Sequence, residues 1–120
     1  MVLNPYLLAV PTHGNGSRGT LAVLEQVPFV VRRVFYIYDV PENTERGHHG
    51  HRNTTQLLTC IRGCVDICIT NTNGEFRFVL DDPSKALVMP PNNVIVMTFH
   101  TDSVLLALAD TIFSDDHVYS

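Results

Sequence analysis

The segment that decides the fold is Gln56-Leu57-Leu58-Thr59-Cys60-Ile61-Arg62-Gly63-Cys64-Val65-Asp66-Ile67-Cys68-Ile69-Thr70. Its three cysteines recur every four residues, and on a helix they would form one stripe able to hold a metal cluster. Six of the fifteen residues are nevertheless β-branched, and Gly63 interrupts the run, so the composition favours strands over a helix. We therefore predict two strands joined by a turn at Arg62-Gly63, with the cysteines packed as small buried hydrophobes.

Short β-like runs separated by turn residues extend along the rest of the chain. Glycine, proline and Asx residues lie between them, as at 13–16, and supply the backbone torsions that turns need. No long segment keeps the 3.6-residue apolar period of a helix, and many short strands at this spacing favour a sandwich or barrel. The predicted strands are 21–24, 29–40, 56–61, 65–70, 75–80, 86–89, 94–99 and 104–109.

Length and composition limit the possible classes of protein. The 120 residues fit one domain with one core, and 45% apolar with 17% charged residues is ordinary for a soluble globular protein. No apolar stretch approaches the roughly 20 residues that span a bilayer, and the N-terminus lacks a secretory signal. A formal net charge of −4 makes nucleic-acid binding a poor expectation. Because an odd cysteine count also fits a reducing compartment, we expect one cytoplasmic domain over residues 1–120.

Three of the six histidines lie together in Arg46-Gly47-His48-His49-Gly50-His51. Side chains alternate between the two faces of an extended segment, so His49 and His51 should point to one side and His48 to the other. Two imidazoles on one wall are typical of either a metal site or proton transfer. For His48, the alternative is a surface position on a turn.

The spacing from Gly47 onward resembles the first signature of the cupin superfamily, whose fold is a jelly-roll β-barrel. The match consists of His49-x-His51, four residues to Gln56 and six more to Gly63. Metal-binding cupins carry glutamate where this chain has Gln56, and a further histidine near the position of Val96. Since two imidazoles and an amide hold a transition metal weakly, a metal-dependent cupin enzyme is the least favoured interpretation. It would need a distal ligand such as His13, Asp66 or His100.

Further motifs follow in order along the chain. They are Arg18-Gly19-x-Leu21, Pro28-Phe29, Arg33-Val34-Phe35-Tyr36-Ile37-Tyr38-Asp39, Arg46-Gly47-x-His49-x-His51, Gln56, Gly63, Pro83, Val104-Leu105-Leu106-Ala107-Leu108-Ala109 and Ser114-Asp115-Asp116. With this set, most of the chain resembles the sugar-nucleotide 3,4-ketoisomerases, the metal-independent cupins that act on dTDP-4-keto-6-deoxy-glucose.

This resemblance implies an isomerase that shifts the keto group of its dTDP-linked sugar from C4 to C3, without a cofactor, in deoxysugar biosynthesis for O-antigens or S-layers. It implies His49 as the main proton shuttle and His51 as its partner, a task that suits histidine because its pKa lies near neutrality. The implied substrate-binding residues are Arg18, Arg33, Tyr36, Tyr38, Arg46 and Gln56. A homodimer that exchanges N-terminal strands at about residues 1–12 is also implied.

The chain departs from the resembled family in two places. Phe35 stands where members commonly carry tyrosine, and Val94, Ile95 and Val96 stand where they commonly carry an aromatic and two polar residues. We expect residues 94–96 to form a wall that faces the sugar. These replacements favour the alternative of a non-catalytic cupin that binds a nucleotide sugar or supports a partner enzyme.

Overall fold

Twelve β-strands make up the computed structural model, which describes residues 1–14, 16–113 and the backbone of 117–119. The strands are β1 (Tyr6–Ala9), β2 (Thr12–Gly14), β3 (Thr20–Ala22), β4 (Arg33–Ile37), β5 (Thr44–His51), β6 (Gln56–Arg62), β7 (Val65–Asn71), β8 (Gly74–Leu80), β9 (Lys85–Met89), β10 (Val94–Phe99), β11 (Val104–Ala109) and β12 (His117–Tyr119). No helix occurs within these ranges, so the prediction of an all-β fold is confirmed. Nor does this part of the chain contain a helix that could cross a membrane.

Two five-stranded sheets pack face to face. The first sheet has the order β1-β9-β6-β11-β4, and the second sheet has the order β12-β5-β10-β7-β8. Successive strands from β4 to β7, and again from β8 to β12, alternate between the sheets, which is the strand path of the predicted jelly roll. No ladder joins the two sheets among the described strands, and β2 and β3 form a separate hairpin.

All eight predicted strands are present; those at 94–99 and 104–109 have the predicted ends, and the ends of the other six differ. The strand predicted at 29–40 is confined to β4, since the chain reaches the ladder only at Arg33. The prediction of a turn at 13–16 is wrong for His13 and Gly14, which belong to β2 because the pairing with β3 extends as far as Gly14 and Thr20. Asn15 and the Ser114-Asp115-Asp116 motif lie outside the described residues.

The cysteine-rich segment forms β6, a turn and β7. Cys60 is completely buried between the sheets, where its Sγ donates a hydrogen bond to the Arg62 carbonyl oxygen at 3.0 Å and burial raises the pKa of its thiol. Cys64 and Cys68 are only half-buried. The prediction of buried cysteines is therefore confirmed for Cys60 and wrong for Cys64 and Cys68. The turn at Gly63 carries the chain from the first sheet to the second, and after it these two side chains point away from the core.

A second apolar cluster covers part of the outer face of the first sheet. Its buried members and the partly buried side chains packed on them are Val10, Leu57, Ala86, Val88, Leu108, Leu8, Leu24, Val27 and Phe29. The N-terminal third of the chain thus shields one half of this face. The other half presents Val34, Tyr36, Tyr38 and Ile61, whose exposed fractions run from 47% to 62%.

Asn93 ties the N-terminus to the turn between β9 and β10. Its side chain is fully buried, and its Nδ2 donates hydrogen bonds to the carbonyl oxygens of Leu3 and Pro90, both at 3.0 Å. Its Oδ1 accepts a hydrogen bond from Asn71 Nδ2 at 2.8 Å. Because a buried amide is costly unless its donors and acceptor are satisfied, this network fixes the start of β10 against β5.

Candidate functional site

A cavity of about 430 Å³ lies between the two sheets, at the end of β5. Its lining consists of Arg33, Phe35, Tyr36, Ile37, Arg46, His49, His51, Gln56, Leu58, Ile95, Met97, Leu105 and Phe113. Most of the wall is apolar, and the few polar groups converge from three strands. Cavities of this kind are the usual sites of small-molecule binding.

A β-bulge at His48 decides which side chains of β5 enter this cavity. In the ladder with β10, Gly47 pairs with Val96 and His49 pairs with Ile95, so His48 is the extra residue. Both residues of the bulge have positive φ angles, 104° for Gly47 and 62° for His48. Simple alternation would place Arg46 and His49 on opposite faces, but the added residue brings both to the cavity.

The two predicted catalytic histidines lie side by side on the cavity wall. Their ring centroids are 5.8 Å apart and their planes meet at 81°, edge to face. His51 is 5% exposed, and its carbonyl oxygen accepts a hydrogen bond from the Asn92 amide at 2.8 Å. The turn that follows is held by a hydrogen bond from the Thr55 amide to Asp110 Oδ1 at 2.9 Å. The imidazoles therefore project from a backbone that is fixed on both sides.

Arg33 and Gln56 flank the cavity on the first sheet. Ala109 on β11 pairs with Arg33 on β4 and with Gln56 on β6. The Arg33 guanidinium and the Gln56 amide therefore lie on either side of a small residue. The Arg33 guanidinium carbon lies 5.4 Å from the ring centroid of Phe35 and 5.9 Å from that of Phe113. Its buried Nε makes no hydrogen bond to any described residue, which leaves a donor for a bound ligand.

The charge of the cavity wall is positive. Arg33 and Arg46 both line it, and none of the described lining residues is acidic. Two cations in a largely apolar enclosure favour an anionic ligand or a transition state that develops negative charge.

The structure brings together six of the eight predicted site residues, the sixth being Tyr36, and places Tyr38 and Arg18 elsewhere. His49, His51, Arg33, Arg46 and Gln56 all line the cavity. The Tyr36 and Tyr38 rings stack on the outer face of the first sheet with their centroids 5.9 Å apart, and of the two only Tyr36 also borders the cavity. Arg18 lies exposed in the turn of the β2–β3 hairpin. For all eight residues, a catalytic or substrate-binding role stays a prediction.

The expectation that residues 94–96 form the sugar-facing wall is wrong for two of the three. Ile95 points into the cavity beside His49, whereas Val96 lies on the outer face of the second sheet with Cys68. Val94 has the same facing as Val96 because alternate residues of a strand share a face. One apolar side chain, and not three, therefore stands at this part of the wall.

The donor set of the cavity does not fit a transition-metal site. It offers two imidazoles and the Gln56 amide, and within the described part of the chain no third histidine, cysteine or carboxylate joins them. The distal ligands considered from sequence lie elsewhere. Asp66 and His100 contact each other on the outer face of the second sheet, and His13 is exposed in β2.

Sequence reasoning missed the apolar wall of the cavity. Met97, Leu58 and Leu105 could have been assigned to it from strand alternation once the register was known. Phe113 follows the last predicted strand and carries no pattern that marks it as a site residue.

Comparisons with known proteins identify the family of this chain. The family described as "FdtA: WxcM-like, C-terminal" matches residues 4–120. A TDP-4-oxo-6-deoxy-alpha-D-glucose-3,4-oxoisomerase of Aneurinibacillus thermoaerophilus is 31% identical over 103 residues, covering 82% of this chain and 74% of the relative.

Solved structures show the same similarity. The sugar 3,4-ketoisomerase QdtA of Thermoanaerobacterium thermosaccharolyticum, in complex with TDP, superimposes with a TM-score of 0.91 at 31% identity, over 98% of this chain and 89% of QdtA. The TDP-quinovose 3,4-ketoisomerase WlaRB of Campylobacter jejuni gives 0.91 at 29% identity, over 99% and 95%. The all-β fold, the paired histidines and these matches together establish that the chain belongs to the FdtA (WxcM-like, C-terminal) family of sugar-nucleotide 3,4-ketoisomerases.

Proposed function

We propose that this chain isomerises a dTDP-linked 4-keto-6-deoxy sugar by moving the carbonyl group from C4 to C3, in deoxysugar biosynthesis. The observation that carries the proposal is the pair of adjacent imidazoles in an apolar cavity that also holds two arginines. Among the relatives, a histidine-to-asparagine variant of QdtA has been solved with TDP-4-keto-6-deoxyglucose bound. A substrate of that class would bring both an anionic diphosphate and an enolisable ketone to such a cavity.

In this scheme, His49 accepts the proton from C3 of the sugar. The electron pair of the C3–H bond becomes a C3–C4 double bond, and the C4 carbonyl oxygen takes up negative charge. A proton then returns to C4, while His51 assists the net transfer of the hydroxyl proton from the C3 oxygen to the C4 oxygen. C3 is oxidised and C4 is reduced, so the reaction is redox-neutral and needs no cofactor.

The other polar residues would stabilise the enediolate and orient the sugar. Arg33 offers its buried Nε, and Arg46 stands on the same strand as the histidines, so either cation can face the oxygen that gains charge. The Gln56 amide is 6% exposed and can donate to a sugar oxygen. The apolar side chains around them exclude water, which strengthens these electrostatic interactions.

The proposed isomerisation can be tested directly. Incubation of the chain with dTDP-4-keto-6-deoxy-glucose should yield the 3-keto isomer, which NMR can follow through the loss of the C3 proton signal and the appearance of a proton at C4. In deuterated water the product should carry deuterium at C4, because the histidine exchanges its proton with solvent. Retention of unchanged substrate by a chain that still binds TDP would favour the non-catalytic alternative.

We also propose that the chain forms a homodimer through the exposed half of the outer face of the first sheet. Val34, Tyr36, Tyr38 and Ile61 make this an apolar patch on a molecule whose opposite half-face is covered by its own N-terminal segment. In the single chain, β1 pairs with β9, from Tyr6 opposite Val88 to Ala9 opposite Lys85. Exchange of residues 1–12 between two copies would keep this pairing and stays a prediction.

The dimer can be tested by sedimentation at micromolar concentration. The wild-type mass should be that of two chains, and Val34→Asp should shift it to one chain because a carboxylate in the interface is desolvated without a partner. Val79→Asp is the matched control, since Val79 is 47% exposed on the other sheet. A monomeric wild type, or equal dissociation of both variants, would contradict this interface.

A cytoplasmic setting is proposed as well. Its support is the state of Cys60, Cys64 and Cys68, which are all free thiols, as expected of a protein in a reducing compartment.

A further inference from the structure

Three potential metal ligands meet on the outer face of the second sheet, away from the cavity. They are Cys64, Asp66 and His100, and one Sγ, one carboxylate oxygen and one ring nitrogen all lie within 4.8 Å of one another. His100 Nε2 is 2.9 Å from Asp66 Oδ2. Their side chains are half-buried to exposed, so the cluster is open to solvent.

Strand register explains why these three side chains converge. Asp66 on β7 pairs with Thr98 on β10, and the next outward positions along the two strands are Cys64 and His100. The residues between them, Val65 and Phe99, are fully buried and anchor the strands on the inner side.

The backbone that carries the cluster is fixed by hydrogen bonds. The His100 amide donates to the Cys64 carbonyl oxygen at 3.0 Å. The Ser103 hydroxyl accepts a hydrogen bond from the Cys64 amide at 2.9 Å. It also donates a hydrogen bond to the Cys64 carbonyl oxygen at 2.8 Å. Ser103 is 2% exposed, so this clamp between the β6–β7 and β10–β11 turns is itself buried. A site built on such supports loses little entropy when it binds an ion.

We propose that Cys64, Asp66 and His100 form a Zn²⁺ site, with water as the fourth ligand. One thiolate, one imidazole and one carboxylate are the ligand types that zinc takes in tetrahedral sites. Bond lengths of about 2.0 to 2.3 Å place the ligand atoms of a tetrahedral zinc site roughly 3.3 to 3.7 Å apart. Side-chain rotations that move the three ligand atoms by about 1 Å would therefore complete the geometry.

Zinc binding at the cluster would have to displace the proton of the Cys64 thiol. Burial and the neighbouring Asp66 carboxylate raise the pKa of the Cys64 thiol, since both oppose a thiolate. A bound divalent ion reverses the second effect, because it neutralises the carboxylate and binds the thiolate directly. The soft sulfur donor selects zinc over magnesium or calcium, which prefer oxygen ligands.

This site would be structural and separate from the isomerase cavity. The ligands face outward from β7 and from the end of β10, whereas Ile95 and Met97 face inward from β10. An ion there would join the two turns that the Ser103 clamp already connects. The proposal does not depend on the isomerase reaction, and its test uses binding and stability alone.

The site can be tested with Co²⁺ as a spectroscopic substitute for zinc, on the full untagged chain. One equivalent of Co²⁺ should produce a thiolate-to-cobalt charge-transfer band and tetrahedral d–d bands, and one equivalent of Zn²⁺ should remove them. Cys64→Ser should abolish the charge-transfer band, and Asp66→Asn and His100→Gln should each weaken Zn²⁺ binding at least tenfold. Zn²⁺ should raise the melting temperature of the wild type more than that of any of these variants.

Cys68→Ser is the matched control, because Cys68 is half-buried like Cys64 and lies on β7 with Asp66, but is outside the cluster. It should keep the full cobalt spectrum, as should His49→Asn, which alters the cavity. Absence of a charge-transfer band in the wild type, or its loss in Cys68→Ser, would overturn the proposal. Circular dichroism of the metal-free variants separates failure to bind from failure to fold.

Discussion

Replacement of His49 by asparagine is expected to lower kcat for ketone isomerisation by about 10²- to 10⁴-fold, the range that a positioned acid–base group contributes. Asparagine fills a similar space and keeps hydrogen-bonding capacity, but it cannot accept the C3 proton. The cavity shape and its two arginines are unchanged, so the affinity for TDP should stay within a few-fold. Steady-state kinetics, with TDP binding measured by calorimetry, separate the two quantities.

His48→Asn is the matched control for this experiment. His48 lies next to His49 but faces solvent, where its Nε2 is 3.1 Å from Glu45 Oε1. Asparagine also tolerates the positive φ of this position. Its kcat should remain within about twofold of the wild type. If His49→Asn kept wild-type turnover, or if His48→Asn lost as much, the proposed role of His49 would be wrong.

Gly50→Ala is expected to destabilise the fold by about 3 kcal/mol or more, the upper range for overpacking a rigid core. A Cβ at Gly50 would overlap the Asn93 carbonyl oxygen and come within 2.8 Å of the Asn93 carbonyl carbon. Both atoms are backbone, and the buried Asn93 side chain holds that backbone in place. Strands β5 and β10 must therefore separate where His49 and His51 are presented. Thermal and urea unfolding should show a drop in melting temperature of roughly 10 °C or more.

Gly74→Ala provides the comparison that isolates this clash. A Cβ at Gly74 meets nothing within 4 Å, but its φ of 138° carries a conformational penalty. That penalty is about 1 kcal/mol. The difference between the two variants measures the steric term at Gly50. Equal destabilisation of the two would show that β10 can move away from β5 at little cost.

The strands and the paired histidines were predictable because period-two alternation is a local property of the chain. It placed His49 and His51 on one face, as observed. It failed for Val96, because which face is inward depends on pairing with distant strands, and β10 is apolar on both faces. The same ambiguity applies to β4, where Phe35 faces the cavity while Val34 faces away.

The entry of Arg46 into the cavity depends on a bulge that local sequence signals only weakly. Gly47 permits a positive φ, but a glycine alone indicates neither a bulge nor its register. The convergence of Cys64, Asp66 and His100 is also a property of the register between β7 and β10. Asp66 and His100 are 34 residues apart in the sequence, so no short sequence motif could have identified this cluster.

The bulge at Gly47 and His48 determines where β5 can lose a residue without turning its side chains to the other face. The two residues occupy one outward position of the ladder, so loss of His48 would leave a regular strand with Arg46, His49 and His51 still on the cavity side. Removal of a residue between His49 and His51 would instead place one imidazole on each face of the sheet. Within β5, tolerance to single-residue deletion is therefore concentrated at His48, directly beside the residue whose replacement should slow the reaction most.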